Sequence, residues 1–275
     1  MMHKKMGNRL SGMMAAAIAT LGVCHGITAH AAGDLLVAPT RLVLGEKSGG
    51  EVLLSNKGAE TATYRTSIIL KKMLEDGHVE DITQPTPEQQ QLIDMVSYAP
   101  RKVVLAPGQT QTVRVAASVP PSWAEGEYRV HMLFRAVPAE GQLIAAGKQD
   151  GVAIALTPVY GVTIPVVVRK GAPDAKVGIE NARISRSAGK AAVTLTLRRS
   201  GNRSIYGAVR LFQSGDARPL AELRGVAVYE EVGRRAVTLD IPDTNVAKLT
   251  GAMIVRFNEE GDGGGKATAE AALTL

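Results

Sequence analysis

Residues 151–169 read Gly-Val-Ala-Ile-Ala-Leu-Thr-Pro-Val-Tyr-Gly-Val-Thr-Ile-Pro-Val-Val-Val-Arg, and this stretch decides the fold. Large apolar residues stand at every second position in both of its halves: Val152, Ile154, Leu156, Val162 and Ile164. Such period-two alternation, with many β-branched residues, predicts a β-strand over residues 152–169. A usual strand has about 5–6 residues, so a strand of this length is expected to organise its sheet.

Two prolines interrupt the pattern, Pro158 and Pro165. Proline has no N–H to donate to a neighbouring strand, so at least part of the predicted strand should lie at a sheet edge. Gly161, between the prolines, is the natural place for a bend. Because a long apolar edge promotes aggregation, we expect either that this chain covers it or that another chain adds a strand there.

Similar strand patterns recur at intervals of about 8–12 residues, separated by turns rich in Gly, Asn and Asp. No segment shows a convincing helical pattern, and residues 84–91 and 138–150 are expected to form loops. Pro39 should mark a kink or a switch between strands. Since Gly171-Ala-Pro173 separates two series of strands, the sequence predicts an all-β fold of two β-sandwich domains, residues 32–170 and 171–275.

The N-terminal residues are typical of a secretory signal. The first nine residues include three basic side chains, residues 10–23 are mostly apolar, and Ala29-His-Ala31 fits a cleavage site. We therefore expect residues 1–31 to be removed on export, with lipidation at Cys24 as the alternative. Removal takes away three basic and no acidic residues, so the formal charge falls from +6 to +3.

The remaining chain offers little for catalysis. It has no cysteine, only His78 and His131 remain of the five histidines, and no clustered carboxylates or nucleophile motifs are present. These features argue against an enzyme, a metal site, a cofactor and a small-molecule substrate. A charge of +3 without a clustered basic face also argues against nucleic-acid binding.

Several segments resemble the PapD-like periplasmic chaperones of the chaperone–usher pilus pathway, and they occur in the family's order. They are Ala38-Pro-Thr-Arg-Leu-Val-Leu44, Leu53-Leu-Ser-Asn56, Tyr98-Ala-Pro-Arg-Lys-Val-Val-Leu-Ala-Pro-Gly-Gln-Thr-Gln-Thr-Val-Arg114, Gly126-Glu-Tyr-Arg-Val-His-Met-Leu-Phe-Arg135 and residues 152–169. Together they cover most of residues 34–170, whereas residues 171–275 match only in length and strand rhythm.

The resemblance implies two immunoglobulin-like domains arranged in an L shape around a cleft. It also implies a periplasmic chaperone that binds pilus or fimbrial subunits and delivers them to an outer-membrane usher. Such a chaperone lends the subunit a strand, so that main-chain bonds give affinity and alternate side chains fill pockets. The donated strand would be residues 152–169, with Val152, Ile154, Leu156, Val162 and Ile164 as donor residues.

Arg41 matches the family's cleft arginine, which grips the C-terminal carboxylate of the subunit. A guanidinium suits this role because it stays charged and can bond a carboxylate through two N–H groups. The family's second cleft cation is a lysine, and alignment on the strand-ending arginine places Pro165 there. The sequence leaves four candidates to replace that lysine: Arg169, Lys170, Arg65 and Arg129.

Two questions stay open at the level of sequence. Period-two alternation does not decide whether the large residues of 152–156 face the core or the solvent. An alternative function, an exported structural or adhesive β-sandwich protein with the strand paired internally, also fits the composition.

Overall fold

The computed structural model describes residues 34–138, 145–149, 152–155, 159–261 and 267–273. The predicted all-β fold is confirmed, with two β-sandwiches following one another along the chain. The predicted signal peptide, residues 1–31, lies outside the described residues. Among the residues that are described, no helix is long and apolar enough to cross a membrane.

The first sandwich is built from elements that precede residue 171. In chain order these are β1 (Leu35–Ala38), β2 (Leu42–Gly45), β3 (Gly49–Asn56), β4 (Ala62–Met73), β5 (Val79–Ile82), α1 (Pro87–Asp94), β6 (Val96–Ala99), β7 (Lys102–Leu105), β8 (Thr110–Ala117), β9 (Gly126–Val137), β10 (Ala145–Gln149), β11 (Val152–Ala155) and β12 (Gly161–Lys170). One sheet has the order β1-β3-β8-β6; the other has the order β2-β12-β9-β4-β5, with β7 also paired to β4.

The chain switches from one sheet to the other at Pro39, as the sequence predicts. β1 pairs antiparallel with β3, whereas β2 pairs parallel with β12, beginning at Leu42 opposite Val166. The Ala38–Pro39 peptide bond is cis. The switch places Arg41 directly before β2, so Arg41 lies where β2 joins the edge of β12.

The prediction of one continuous strand over residues 152–169 is wrong. Residues 152–155 form β11, which pairs with β10 in a separate hairpin, whereas residues 161–170 form β12. Residues 159 and 160, between them, are not in a strand. The predicted loop over residues 138–150 correspondingly contains β10. Pro165 is tolerated inside β12, because among the described strands β2 covers the second side of β12 only from Val166 onward.

Two of the five predicted donor residues face inward. Ile164 is 2% exposed and belongs to the core of the first sandwich, and Val162 packs against the same core. They alternate with Thr163 and Pro165, which are half-buried on the opposite face. The assignment of Ile164 as an exposed donor residue is therefore wrong, since its side chain fills space between the two sheets.

A short helix replaces part of the polar loop predicted at residues 84–91. α1 begins after Thr86, whose hydroxyl accepts from the Gln89 N–H at 3.3 Å, while the Thr86 N–H donates to Gln89 Oε1 at 3.0 Å. This reciprocal pair is a capping box, and Pro87 at the first helical position fits its start. The Thr-x-x-Gln spacing was therefore a usable helix signal in the sequence.

The second sandwich follows Gly171. Its elements are β13 (Ala175–Ser187), β14 (Lys190–Gly201), β15 (Ile205–Gln213), β16 (Ala221–Val228), β17 (Arg234–Ile241), α2 (Asp243–Val246), β18 (Met253–Glu259) and β19 (Thr268–Leu273). They form sheets of order β13-β14-β17 and β16-β15-β18-β19. Strands recur through this half, as the sequence predicts, and α2 is an addition.

The β4–β5 hairpin joins the two sandwiches. Met73, at the end of β4, is 2% exposed and packs in the core of the second sandwich. The Ala236 N–H donates to the Glu75 carbonyl at 2.7 Å. Ala32–Leu275 accordingly form one compact unit, although each described sheet contains strands from only one side of residue 171. The domain boundary at 170 and 171 stays a prediction.

Candidate functional site

Residues of both sandwiches line a small cavity around Arg41, which we call the Arg41 pocket. Its volume is about 180 Å³. The lining residues are Pro39, Thr40, Arg41, Val43, Arg169, Tyr206, Glu259, Glu260 and Gly261. The strand switch after β1 supplies one wall, the end of β12 another, and β15 and β18 of the second sandwich the rest.

The guanidinium of Arg41 has few partners within the described part of the chain. Its Nη2 donates to Ser204 Oγ at 3.2 Å, and its Cζ lies 4.9 Å from the centre of the Tyr206 ring. Its Nη1 is buried and has no hydrogen-bond partner among the described residues. A buried donor without a partner is unfavourable. The Arg41 pocket therefore presents an unsatisfied N–H group that an anion would satisfy.

Burial lowers the pKa of Arg41 below its ordinary value. The nearby Tyr229 and Glu127 act in the opposite direction, while Arg169 lowers the pKa further. Removal from water disfavours a charged group, and a second cation close by disfavours it again. A bound carboxylate would relieve both effects, because opposite charges at short distance favour the ionised forms.

The carboxylates that line the Arg41 pocket have partners of their own. Glu259 accepts from Arg203 through both of its oxygens, one of these bonds being 3.1 Å from Nη2 to Oε2. Glu260 forms an ion pair with Arg210. Neither forms a salt bridge with Arg41 in the described structure, so Arg41 keeps its charge available.

Arg169 is the one of the four candidate second cations that lines the Arg41 pocket. Its Nε donates to Glu127 Oε2 at 3.1 Å. Arg169 and Glu127 are both largely buried, with side chains 13% and 2% exposed. Pro165, at the position of the expected lysine, lies beside Arg41 if the β2–β12 register is continued by one residue.

The other three candidates lie elsewhere. Lys170 donates to the carbonyls of Pro120, Pro121 and Trp123 at 2.7–3.1 Å and so fixes that loop. Arg65 is exposed on the outer face of β4, opposite Lys102 and Arg135. Arg129 takes part in a separate contact between the sandwiches.

That contact, which we call the Arg129 cluster, is densely bonded. Arg129 forms an ion pair with Glu231, donates to the Lys71 carbonyl at 3.0 Å, and lies 3.7 Å from the centre of the Tyr229 ring. Glu231 also accepts from the Met73 N–H at 2.8 Å. Every charged group in this cluster therefore has an opposite charge or a hydrogen-bond partner.

His131 lies beside Arg129 in the same cluster. Arg129 Nη1 is 3.2 Å from His131 Nε2, and because a guanidinium only donates, Nε2 must accept and the proton sits on Nδ1. Burial lowers the pKa of His131 to about 3, and Arg129 and Lys71 contribute further. His131 is therefore a neutral structural residue.

The edge of β12 is open next to the Arg41 pocket. Over residues 161–165, β12 pairs only with β9 among the described strands, and β2 covers its other side only from Val166 onward. Val159 and Tyr160, just before this edge, are 50% and 45% exposed. Unpaired main-chain groups beside exposed apolar side chains are the features to which another strand can add.

Sequence reasoning missed the contribution of the second sandwich to this site. Ser204 and Tyr206 hold the Arg41 guanidinium, yet they lie 163 and 165 positions further along the chain. No local motif around them signals this role. Of the predicted donor residues, Val152 and Ile154 lie in the β10–β11 hairpin, and Leu156 is outside the described residues.

Among the described residues, no group of three or more His, Cys, Asp or Glu side chains is placed to hold a metal ion.

No protein-family model and no curated protein sequence matches this chain. Solved structures do show similarity to it. The YadV chaperone is 14% identical with a TM-score of 0.47, covering 87% of this chain and 100% of that one. The Pseudomonas aeruginosa CupB2 chaperone is 15% identical with a TM-score of 0.46, covering 87% of this chain and 100% of that one. The structure of the Salmonella enterica SafA pilin in complex with the SafB chaperone is 16% identical with a TM-score of 0.46, covering 88% of this chain and 97% of that one.

Proposed function

We propose that this protein is a periplasmic chaperone for pilus or fimbrial subunits, which it binds by strand addition and delivers to an outer-membrane usher. The observation that carries the proposal is the position of the open edge of β12, residues 161–165, directly beside Arg41. A strand added at this edge would obtain main-chain hydrogen bonds along its length. Its end would lie at the Arg41 pocket.

We propose that the added strand runs parallel to β12, as β2 does. β2 runs parallel to β12 and begins opposite Val166, so it occupies the position that an added strand occupies earlier along β12. An added strand that also runs parallel must therefore end before Leu42, next to Arg41. A client subunit bound in this direction brings its C-terminal carboxylate to the pocket.

The chemistry of the Arg41 pocket fits that carboxylate. Arg41 offers a buried Nη1 donor with no partner among the described residues, and Arg169 contributes a second positive charge. Ser204 and Tyr206 fix the guanidinium from one side. A carboxylate has two oxygens and can accept from a guanidinium in a bidentate manner, which gives both affinity and orientation.

We further propose that Val152, Ile154 and Leu156 are the residues inserted into the client. Ile154→Asp should then block client capture, because a charge cannot enter an apolar groove unpaired, and should leave the melting temperature nearly unchanged. Ile164→Asp is the matched control, since Ile164 is buried and its replacement should destabilise the fold by several kcal/mol. A large loss of stability in Ile154→Asp would remove these residues from the donor strand.

Export is part of the proposal. The basic, apolar and Ala29-His-Ala31 segments should direct the chain to the periplasm, with cleavage after residue 31. N-terminal sequencing of protein isolated from the periplasm measures this directly. A mature protein beginning at a lipidated Cys24 would contradict it.

The decisive experiment is co-purification of the full-length tagged protein from the periplasm, with mass spectrometry of bound proteins. Wild type should retain a small β-rich subunit, and Arg41→Ala should not. Arg183→Ala, at an exposed position of β13, is the matched control and should bind as wild type does. Equal recovery of the same subunit by wild type and Arg41→Ala would reject the proposal.

A further inference from the structure

Three cations stand side by side on the outer face of the first sandwich. Arg65 of β4 is directly opposite Lys102 of β7 on one side and directly opposite Arg135 of β9 on the other. All three side chains are exposed. The same register continues to Gly161, opposite Arg135 on β12. We call these residues the basic row.

The basic row carries uncompensated charge in the described structure. None of its three cations forms a salt bridge with a described carboxylate, whereas most other arginines on the strand faces do. Like charges directly opposite each other on adjacent strands are destabilising. The arrangement therefore favours an anionic partner over the free state.

An apolar row lies beside the basic row on the same outer face. Val104 is opposite Thr63, and Thr63 is opposite Val137. Val104 and Val137 are 55% and 39% exposed. Cationic and apolar side chains thus form one mixed surface, which suits a protein segment better than a nucleic acid or a free anion.

The basic row ends at the open edge of β12. Gly161 has no side chain, so nothing on β12 itself separates Arg135 from a strand added beside it. Adjacent strands lie about 4.7–4.9 Å apart, so an added strand would run about 10 Å from β9. Extended arginine and glutamate side chains together bridge that distance.

The positions of Arg41 and Gly161 along the open edge of β12 also fix how many residues of an added strand separate its C terminus from the basic row. If the β2–β12 register is continued by one residue, Arg41 lies opposite Pro165, and an added strand ends opposite Ile164. The basic row meets the edge at Gly161, three positions before Ile164. Residues 161, 163 and 165 share the outer face, because side chains alternate along a strand. In a parallel added strand that ends opposite Ile164, the residue three positions before its C-terminal residue would lie opposite Gly161 and face the basic row.

We infer that the basic row recognises an acidic side chain three positions before the C-terminal residue of the client strand. The inference rests on the proposed function, because it takes the added strand and its direction from there. Arg65 and Arg135 would contact the acidic group, and Lys102 would add to the local positive potential. The row would thus select the register in which a client strand is bound.

The test uses the full mature protein and synthetic peptides of about ten alternating Val and Ser residues, labelled with a fluorophore at the N terminus. One peptide carries Glu three positions before the C-terminal residue, and matched peptides carry Gln or Lys there. A fourth peptide carries the Glu but ends in an amide. Fluorescence anisotropy at low ionic strength measures each affinity.

Wild type should bind the Glu peptide about fivefold more tightly than the Gln peptide, and the preference should disappear in high salt. Arg65→Glu should reverse the order, so that the Lys peptide binds best. Lys176→Glu makes the same charge change at an exposed position of the second sandwich and should keep the wild-type order. Because Arg65→Glu relieves repulsion within the basic row, its melting temperature should not fall.

Other outcomes separate this inference from the proposed function. If wild type binds the Glu, Gln and Lys peptides equally but loses the amide peptide, the carboxylate anchor stands and the basic row has no role in recognition. If no peptide binds, both are overturned. Binding of phosphatidylglycerol vesicles that Arg65→Glu abolishes, without any peptide preference, would assign the basic row to a lipid surface and overturn the inference.

Discussion

Arg41 and Arg129 both connect the two sandwiches, yet they are bonded in opposite ways. Arg129 has a carboxylate, a main-chain carbonyl and an aromatic ring as partners. Arg41 has one hydroxyl, a more distant ring and a buried Nη1 without a partner among the described residues. The difference separates an arginine whose partners are all supplied by the described chain from one that keeps a buried donor without a partner there, as the role proposed for Arg41 requires.

The contrast also shows in the surrounding charges. Glu231 pairs with Arg129, whereas Glu259 and Glu260 near Arg41 are bound to Arg203 and Arg210 instead. The absence of a salt bridge between these two carboxylates and Arg41 in the described structure is consistent with the role proposed for Arg41. Stability and binding should therefore respond to different substitutions in these two regions.

The largest expected effect is on stability, from Glu231→Ala. It removes the counter-charge of Arg129, whose side chain is 9% exposed, and also the acceptor of the Met73 N–H. Breaking a largely buried ion pair in this way should lower the free energy of unfolding by about 3–5 kcal/mol. Chemical denaturation measures the loss.

Glu270→Ala is the control for that experiment. The side chains of Glu270 and Arg256 are 51% and 38% exposed. Loss of this ion pair should therefore lower the free energy of unfolding by less than about 1 kcal/mol. Equal losses in the two variants would mean that the Arg129 cluster contributes no more than a surface pair.

Arg41→Ala should have the converse effect. Client affinity should fall by about 2–5 kcal/mol, because the subunit carboxylate loses its charged partner. The free energy of unfolding should change by less than about 0.5 kcal/mol, since a poorly satisfied buried cation contributes little to the fold. Denaturation and client pull-down on the same preparation measure both quantities. A strong loss of stability would place Arg41 with Arg129, as a structural residue.

An intermediate effect is expected from pH at the Arg129 cluster. The pKa of His131 is about 3 in the folded protein, against about 6.5 in an unfolded chain. The unfolded state therefore binds a proton that the folded state excludes, and stability falls as pH drops through the window from about 6.5 to 3. Between pH 6.5 and 5 the loss should be about 2 kcal/mol.

His131→Leu should remove that loss, so its free energy of unfolding should depend less on pH than that of wild type. Denaturation at pH 6.5 and 5 provides the comparison. His78→Leu, at an exposed turn residue, controls for the loss of an imidazole. If the free energy of unfolding of His131→Leu depended on pH as steeply as that of wild type, another group would be responsible for the loss of stability in acid.

The smallest effect is expected from Ser204→Ala, which removes the hydrogen bond to Arg41 Nη2. The guanidinium would be less well oriented, and client affinity should fall by about 1 kcal/mol, the usual worth of one hydrogen bond. Titration of the client subunit into both proteins measures it. A loss as large as that of Arg41→Ala would show that Ser204 contacts the client itself.

Local patterns predicted the strands well and the sites only partly. Pro39 predicted the strand switch correctly, and the resemblance singled out Arg41 because its motif lies within seven consecutive residues. Ser204, a partner of Arg41, and Glu231, a partner of Arg129, lie more than 100 positions away. Such contacts depend on how the two sandwiches meet, which no local periodicity encodes.

Two further differences between the predicted and the observed structure have a similar origin. Period-two alternation fits a core strand and a donor strand equally, so the inward direction of Ile164 is decided by the opposite sheet. The helix α1 was predictable from Thr86 and Gln89, but its polar composition gives no apolar stripe. Its local signals were the capping box and Pro87 at the first helical position.

The docking of Met73 in the second core bears on how such proteins evolve. Genetic recombination could replace the residues after Gly171 with those of a relative. This β4–β5 hairpin would then pack against the second sandwich of another protein. The new partner would have to accommodate Met73 and offer an N–H group to the Glu75 carbonyl. We therefore expect the size of the side chain at position 73 to co-vary with residues of the second core, and the two halves of the chain to be inherited together.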